Sequence, residues 1–151
     1  MKLIFFCLTF FMAINATAQE SDNDKIKAVE FSAQMSFSDV ENFLERFKNA
    51  VKSNKCLDVA QYVGFPLKIN TDSKVKELWN RTAFCRYFPI LFSAKRSDII
   101  LKQNIFDMPV GYRGLMFGNG NFWVQPVCLN ENKCTNESDY ILRLKVVNLG
   151  E

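Results

Sequence analysis

Residues 114–124 read GLMFGNGNFWV. Two apolar runs are joined by Gly118-Asn119-Gly120, a pattern shared by a glycine loop that grips a ligand and by the turn of a β-hairpin. A phosphate-cradling loop opens a helix and carries Gly-Lys-Ser/Thr, and this segment has neither. Asn-Gly between apolar runs is instead a strong hairpin signal, because a type I′ turn needs positive φ at both central positions. The segment is therefore read as a hairpin whose Asn119-Gly120 turn sets the register. Phe117 then falls opposite Phe122 and Met116 opposite Trp123, so that one side of the hairpin faces the core.

Working outward, the C-terminal third follows the two-residue period of strands. NFWVQPVCL continues the hairpin, and DYILRLKVVN alternates Tyr140, Leu142, Leu144 and Val146 against Ile141, Arg143, Lys145 and Val147. Toward the N-terminus the period changes to that of helices. SFSDVENFLERFKNAVKSN places Val40, Phe43, Leu44, Phe47, Ala50 and Val51 on one stripe, and Ser38 with Glu41 forms a capping box that starts the helix there. A short helix over about 55–63 stops at Gly64 and Pro66. FPLKIN then alternates Phe65, Leu67 and Ile69 against Pro66, Lys68 and Asn70, with Pro66 favouring an edge strand, and KVKELW pairs back after a turn. Asn80 caps a helix that carries Phe84, Tyr87, Phe88, Leu91 and Phe92 and that Pro89 kinks or divides; a further helical piece covers about 97–103. Helices first and strands last predict an α+β domain, with N-terminal helices packed on a curved antiparallel sheet.

The first residues, MKLIFFCLTFFMAINATAQ, combine Lys2, an apolar run from Leu3 to Ile14 and the small-x-small triplet Ala16-Thr17-Ala18. This predicts a signal peptide over 1–18, cleaved after Ala18; the apolar run is shorter than the roughly 20 residues of a membrane span. Residues 19–35 open with QESDNDK and read as a solvated polar lead-in, which leaves 36–151 as a single domain. Losing Lys2 with the leader leaves 18 basic and 16 acidic side chains, too even a balance to argue for nucleic acid as partner. The protein is thus expected to be periplasmic or secreted, without a membrane span.

Four cysteines follow the leader: Cys56, Cys85, Cys128 and Cys134. An even number in an oxidising compartment points to disulfides. Cys128 and Cys134 flank the polar loop LNENK, so their closure is the cheapest pairing, and elimination pairs Cys56 with Cys85. The rival is a zinc site, against which stand the lack of C-x-x-C spacing and the absence of histidine. No metal or cofactor is expected.

Three segments, FPLKIN (65–70), NRTAFCRYFPILF (80–92) and DMPVGYRGLMFGNGNFWV (107–124), resemble NTF2-like cone-fold proteins, in particular small secreted bacterial ones of unassigned function. The resemblance covers about two thirds of the chain beyond the leader and rests on apolar and turn residues. It implies a cone with a pocket between sheet and helices, and a sheet face able to form a homodimer. It carries over no catalytic residue.

The absence of histidine removes the commonest general base and the usual activator of Ser and Cys nucleophiles. Of the carboxylates, Asp107 precedes the hairpin and Asp58 lies on a helix; nothing local makes them converge, and each reads as a solvated surface acid. Tyr62, Tyr87, Phe88 and Trp123 are the candidate pocket lining, against the plainer reading that such aromatics are core or rim. The sequence therefore points to a non-enzymatic binding protein of the cell envelope. Its most concrete form is an inhibitor or immunity protein whose stapled loop, Asn130, Glu131, Asn132 and Lys133, contacts an envelope-acting enzyme. The alternatives are a small-ligand carrier or sensor using the cone pocket, and a proton-transfer enzyme needing an Asp and a Tyr in contact inside it.

Overall fold

The computed structural model describes residues 10–130 and 134–150, with side chains from residue 21 onward. Among these, five helices and six strands follow in the order α1 (Phe10–Ala33), α2 (Phe37–Ser53), α3 (Cys56–Ala60), β1 (Val63–Asn70), β2 (Val75–Leu78), α4 (Arg81–Leu91), α5 (Ala94–Lys102), β3 (Val110–Gly111), β4 (Gly114–Phe117), β5 (Phe122–Cys128) and β6 (Tyr140–Asn148). The chain is α+β. The sheet is open, in the order β2-β1-β6-β5-β4-β3, and it is mixed where the strand pattern predicts it wholly antiparallel, because β1 and β6 run parallel. That pairing joins strands far apart in the chain, which no local turn signal specifies.

The hairpin forms as its sequence predicts. Phe117 pairs with Phe122 and Met116 with Trp123. Asn119 and Gly120 have φ of 56° and 86°, the Asn121 N–H donates to the Gly118 carbonyl at 3.2 Å, and Gly118 is also left-handed at 57°. Residues 118–121 therefore all lie outside the ladder. Phe117 and Phe122 are fully buried, while Met116 and Trp123 face the other side of the sheet.

The helices lie against the inner face, and aromatic rings fill the space between. Phe47 is fully buried, with its ring centroid 5.9 Å from Phe43 and Tyr62, 6.1 Å from Phe117 and 6.3 Å from Phe92; Phe92 in turn lies 5.1 Å from Phe122. Rings at 4.5–7 Å add edge-to-face attraction to the area they remove from water.

Four local expectations are corrected. The segment 19–35, read as a solvated lead-in, is helical up to Ala33 and buries Val29, Ser32 and Ala33; the spacing of Val29 and Ala33 was obscured by the polar residues around it. Of the predicted leader, residues 1–9 lie outside the described residues. The α2 cap is Ser36 rather than Ser38: the Ser36 side chain accepts from the Asp39 N–H, and the earlier start lets Phe37 pack on Phe106 at 5.5 Å. Strand β1 is internal although it contains Pro66. The proline falls in the interval from Val63 to Lys68 where the β1–β6 ladder is interrupted, so its missing N–H costs no ladder bond. In β6 the alternation shifts after Leu144, and Val147 rather than Val146 turns inward.

Disulfides join Cys56 to Cys85 and Cys128 to Cys134, with Cα atoms 5.2 and 5.8 Å apart. The first ties α3 to α4. By loop-closure entropy it contributes about 3–4 kcal/mol and the shorter staple about 2 kcal/mol. In denaturant unfolding, Phe47→Ala is expected to lose about 3–5 kcal/mol, whereas Phe31→Ala, at a position 80 % exposed, stays within about 0.5 kcal/mol of wild type. Equal losses at the two positions would contradict the core described here.

Candidate functional site

The four aromatics proposed as a pocket lining are not brought together. Tyr62 packs against Phe43 and Phe47 at 5.8 and 5.9 Å, and its carbonyl accepts from the Leu144 N–H at 2.8 Å. Phe88 is buried in a stack with Phe92, centroids 5.0 Å apart. Tyr87 is half-buried against this core, its hydroxyl bonded to the Lys76 ammonium, which stands 3.9 Å over its ring. That hydrogen bond and the lysine charge hold the Tyr87 hydroxyl below the usual phenol range. Trp123 is across the sheet from all three.

The carboxylates and the stapled loop divide similarly. Asp58 lies 2.8 Å from the Ser53 hydroxyl, within its own neighbourhood in the chain, and Asp107 is exposed. The hydroxyls of Tyr112 and Tyr140 are bonded to Arg113 and to the Cys134 carbonyl. Asn130 is exposed, while Glu131, Asn132 and Lys133 lie outside the described residues. The base of that loop is held by Asp139. Its carboxylate accepts from the Asn136 and Thr135 N–H groups at 3.0 and 2.9 Å, and these bonds keep it below the usual carboxylate range.

What the strands do assemble is a groove on the sheet face turned away from the helices, with a volume of about 540 Å³. Its floor is apolar, made by Pro66 of β1, Trp123 of β5 and Val146 of β6. Three cations line it, Lys68, Arg113 and Lys145, together with the amides of Asn70, Gln125 and Asn148, and no carboxylate is among the lining residues. Arg143 lies on the same face beside Gln125, its cross-strand partner. Among the described residues the ion pairs are Lys48–Glu45 and Lys102–Asp98, both on helices, and neither involves a groove cation.

The backbone explains why Lys145 points into this groove. On the β5 side, Trp123 pairs with Val146 and Val124 with Leu144; on the β1 side, Lys68 pairs with Val146 and Val63 with Leu144. Lys145 is left without a partner in both ladders. A bulge re-aims the side chain that it carries, and here two interruptions coincide on one residue. Gly64 completes the arrangement, because a Cβ there would lie 2.7 Å from Lys145 Cδ and 2.9 Å from Arg143 Cβ. Burial and the neighbouring Lys68 charge hold the Lys145 ammonium below the usual lysine range, and burial does the same to the Arg143 guanidinium. These cations sit partly out of water without a counter-charge among the described residues.

At the far end an amide cluster fixes the shape. Asn70 donates to the Asn148 side-chain oxygen at 2.9 Å, Asn148 donates to the Gly120 carbonyl at 2.9 Å, and Asn121 donates to the Asn148 carbonyl at 2.9 Å. Asn148 thereby locks the ends of β1 and β6 to the hairpin turn. At the near end the groove continues through Arg113 and Gln125 into a second depression of about 620 Å³, beside the end of α1, where Tyr112 and Phe31 are 83 % and 80 % exposed. On the helical side, a depression of about 560 Å³ between α2 and α5 mixes Glu41 and Glu45 with Lys48 and Lys102, so it has no comparable polarity.

Lys68, Arg113, Arg143 and Lys145 were not among the site residues legible in the sequence. The available signal was three cations, Lys68, Arg143 and Lys145, on the polar phase of two strands, but only the parallel β1–β6 pairing makes those strands neighbours. A partly desolvated cation without a partner opposes folding. Lys145→Met, which keeps the apolar stem, is therefore expected to melt at or above the wild-type temperature; a clear fall would show Lys145 to be structural instead. No family model, curated protein or solved structure matches this chain.

Proposed function

We propose that this chain is a non-enzymatic, NTF2-like binding protein of the periplasm or extracellular space, and that it works through the uncovered face of its sheet. The observation that carries the reading is the groove itself: Lys68, Arg113 and Lys145 around an apolar floor, with no lining carboxylate. Lys145 is held partly out of water without a counter-charge among the described residues, Lys68 and Arg113 are exposed beside it, and an anionic partner supplies the missing charge. Two disulfides, together with the finding that no described helix is long and apolar enough to cross a membrane, fit a protein that operates in an oxidising compartment.

The most concrete form of this reading remains an inhibitor or immunity protein that docks on an envelope-acting enzyme. The open face takes over from the stapled loop, residues 130–133, as the leading contact surface. Capture from an envelope extract tests it. Wild-type protein is expected to retain a partner that Lys68→Glu/Lys145→Glu loses, while Lys95→Glu, on α5, retains it. Equal capture by all three proteins would remove the open face from the function.

A further inference from the structure

We propose that the groove centred on Trp123 is a binding site for a carboxylate-bearing saccharide, one or two acidic sugar rings deep. The inference rests on the reading of the open face as the binding surface, and it names the class of ligand.

Each part of a uronate ring has a counterpart here. Its carboxylate meets Lys68, Lys145 and Arg113, with no lining acid to repel it. The C–H face of a sugar is flat and weakly apolar, and the floor of Trp123, Pro66 and Val146 offers such a surface. The hydroxyls need donors and acceptors. Asn70 spends its N–H on Asn148 but keeps its side-chain oxygen as an acceptor, and the Gln125 amide has no hydrogen-bond partner among the described residues. The Asn148 amide is engaged on both sides, so it shapes the groove and leaves recognition to its neighbours.

The competing anions fit less well. Phosphate sites are commonly built from backbone N–H groups at a helix N-terminus or in a nest. This floor is the face of a sheet whose backbone groups point along the sheet into the ladders on either side. The same geometry disfavours a peptide, since an extended peptide gains its main-chain bonds at a strand edge. The volume of about 540 Å³ falls within the roughly 300–1,000 Å³ of small-molecule sites. Where Arg113 and Gln125 lead into the second depression, the exposed ring of Tyr112 offers another flat surface for a longer chain.

The two tryptophans allow a direct test. In a Trp79→Phe background Trp123 is the sole indole, and its emission is followed while a linear oligogalacturonate is added. Parallel titrations use a neutral gluco-oligosaccharide of equal length and an oligoglutamate peptide. Saturable change with the oligogalacturonate alone is expected, weakened by rising salt. Lys68→Met and Lys145→Met are each expected to weaken it about tenfold, and Lys102→Met on α5 is expected to leave it unchanged. Circular dichroism checks that each variant is folded, and the salt series on the unsubstituted groove tests the charge requirement even where a variant is not. No saturable response, or an equal response to the neutral sugar, would overturn the proposal. Tighter binding of the oligoglutamate would also overturn it, while leaving the open face as a site for an acidic protein. If none of the three binds but envelope capture still depends on Lys68 and Lys145, the saccharide proposal fails and the wider reading stands.

Discussion

The insertion of β6 between β1 and β5 is the constraint on which the rest of the structure depends. On one side stand β2 and β1, on the other β5, β4 and β3, and within the sheet the two halves are joined by hydrogen bonds only through this strand. Leu142, Leu144 and Val147 of β6 are buried, so the inner core is incomplete until it arrives. The Asn70–Asn148–Gly120 hydrogen bonds then fasten both halves at one end. Because its β1 partners lie more than seventy residues away, this closure carries a loop entropy that the local β4–β5 hairpin does not.

The distance between partners also separates what the sequence made legible from what it did not. The hairpin register follows from Asn119-Gly120 and was readable to the residue. The α2 stripe was readable because helical periodicity is local, and its boundary shifted only because two serines, Ser36 and Ser38, each precede an acid by three positions. The parallel pairing was not readable, since nothing near Lys68 announces Val146. Nor was the phase change at Lys145, where Val146 and Val147 are equally apolar and either satisfies an alternating pattern. The groove depends on both of these features. Its residues were visible one by one as solvent-phase cations, and their assembly was not.

The two faces of the sheet show opposite chemistry. The inner face is filled by rings in mutual contact, which leaves the candidate lining of Tyr62 and Phe88 as part of the packing. The outer face carries charge that is held in place by backbone irregularity. An evenly alternating β6 would also put Lys145 on the outer face, but it would send Val146 into the core. The double interruption at Lys145 instead leaves Val146 beside it on the outer face, and the bare Gly64 makes room for the lysine stem at that apolar floor. Strand geometry, rather than side-chain pairing, positions the charge.

The edges of the sheet bear on how copies of this protein can meet. At one end β2 is four residues long and charged at Lys76 and Glu77; at the other, β3 has only two residues and α1 lies against it. Short, charged or covered edges resist the addition of a neighbour's strand. Self-association through the sheet is thereby directed to its outer face, the same surface that holds the groove. A homodimer built on that face and a bound ligand would compete for it, so the apparent affinity for the ligand would fall as the protein concentration rises.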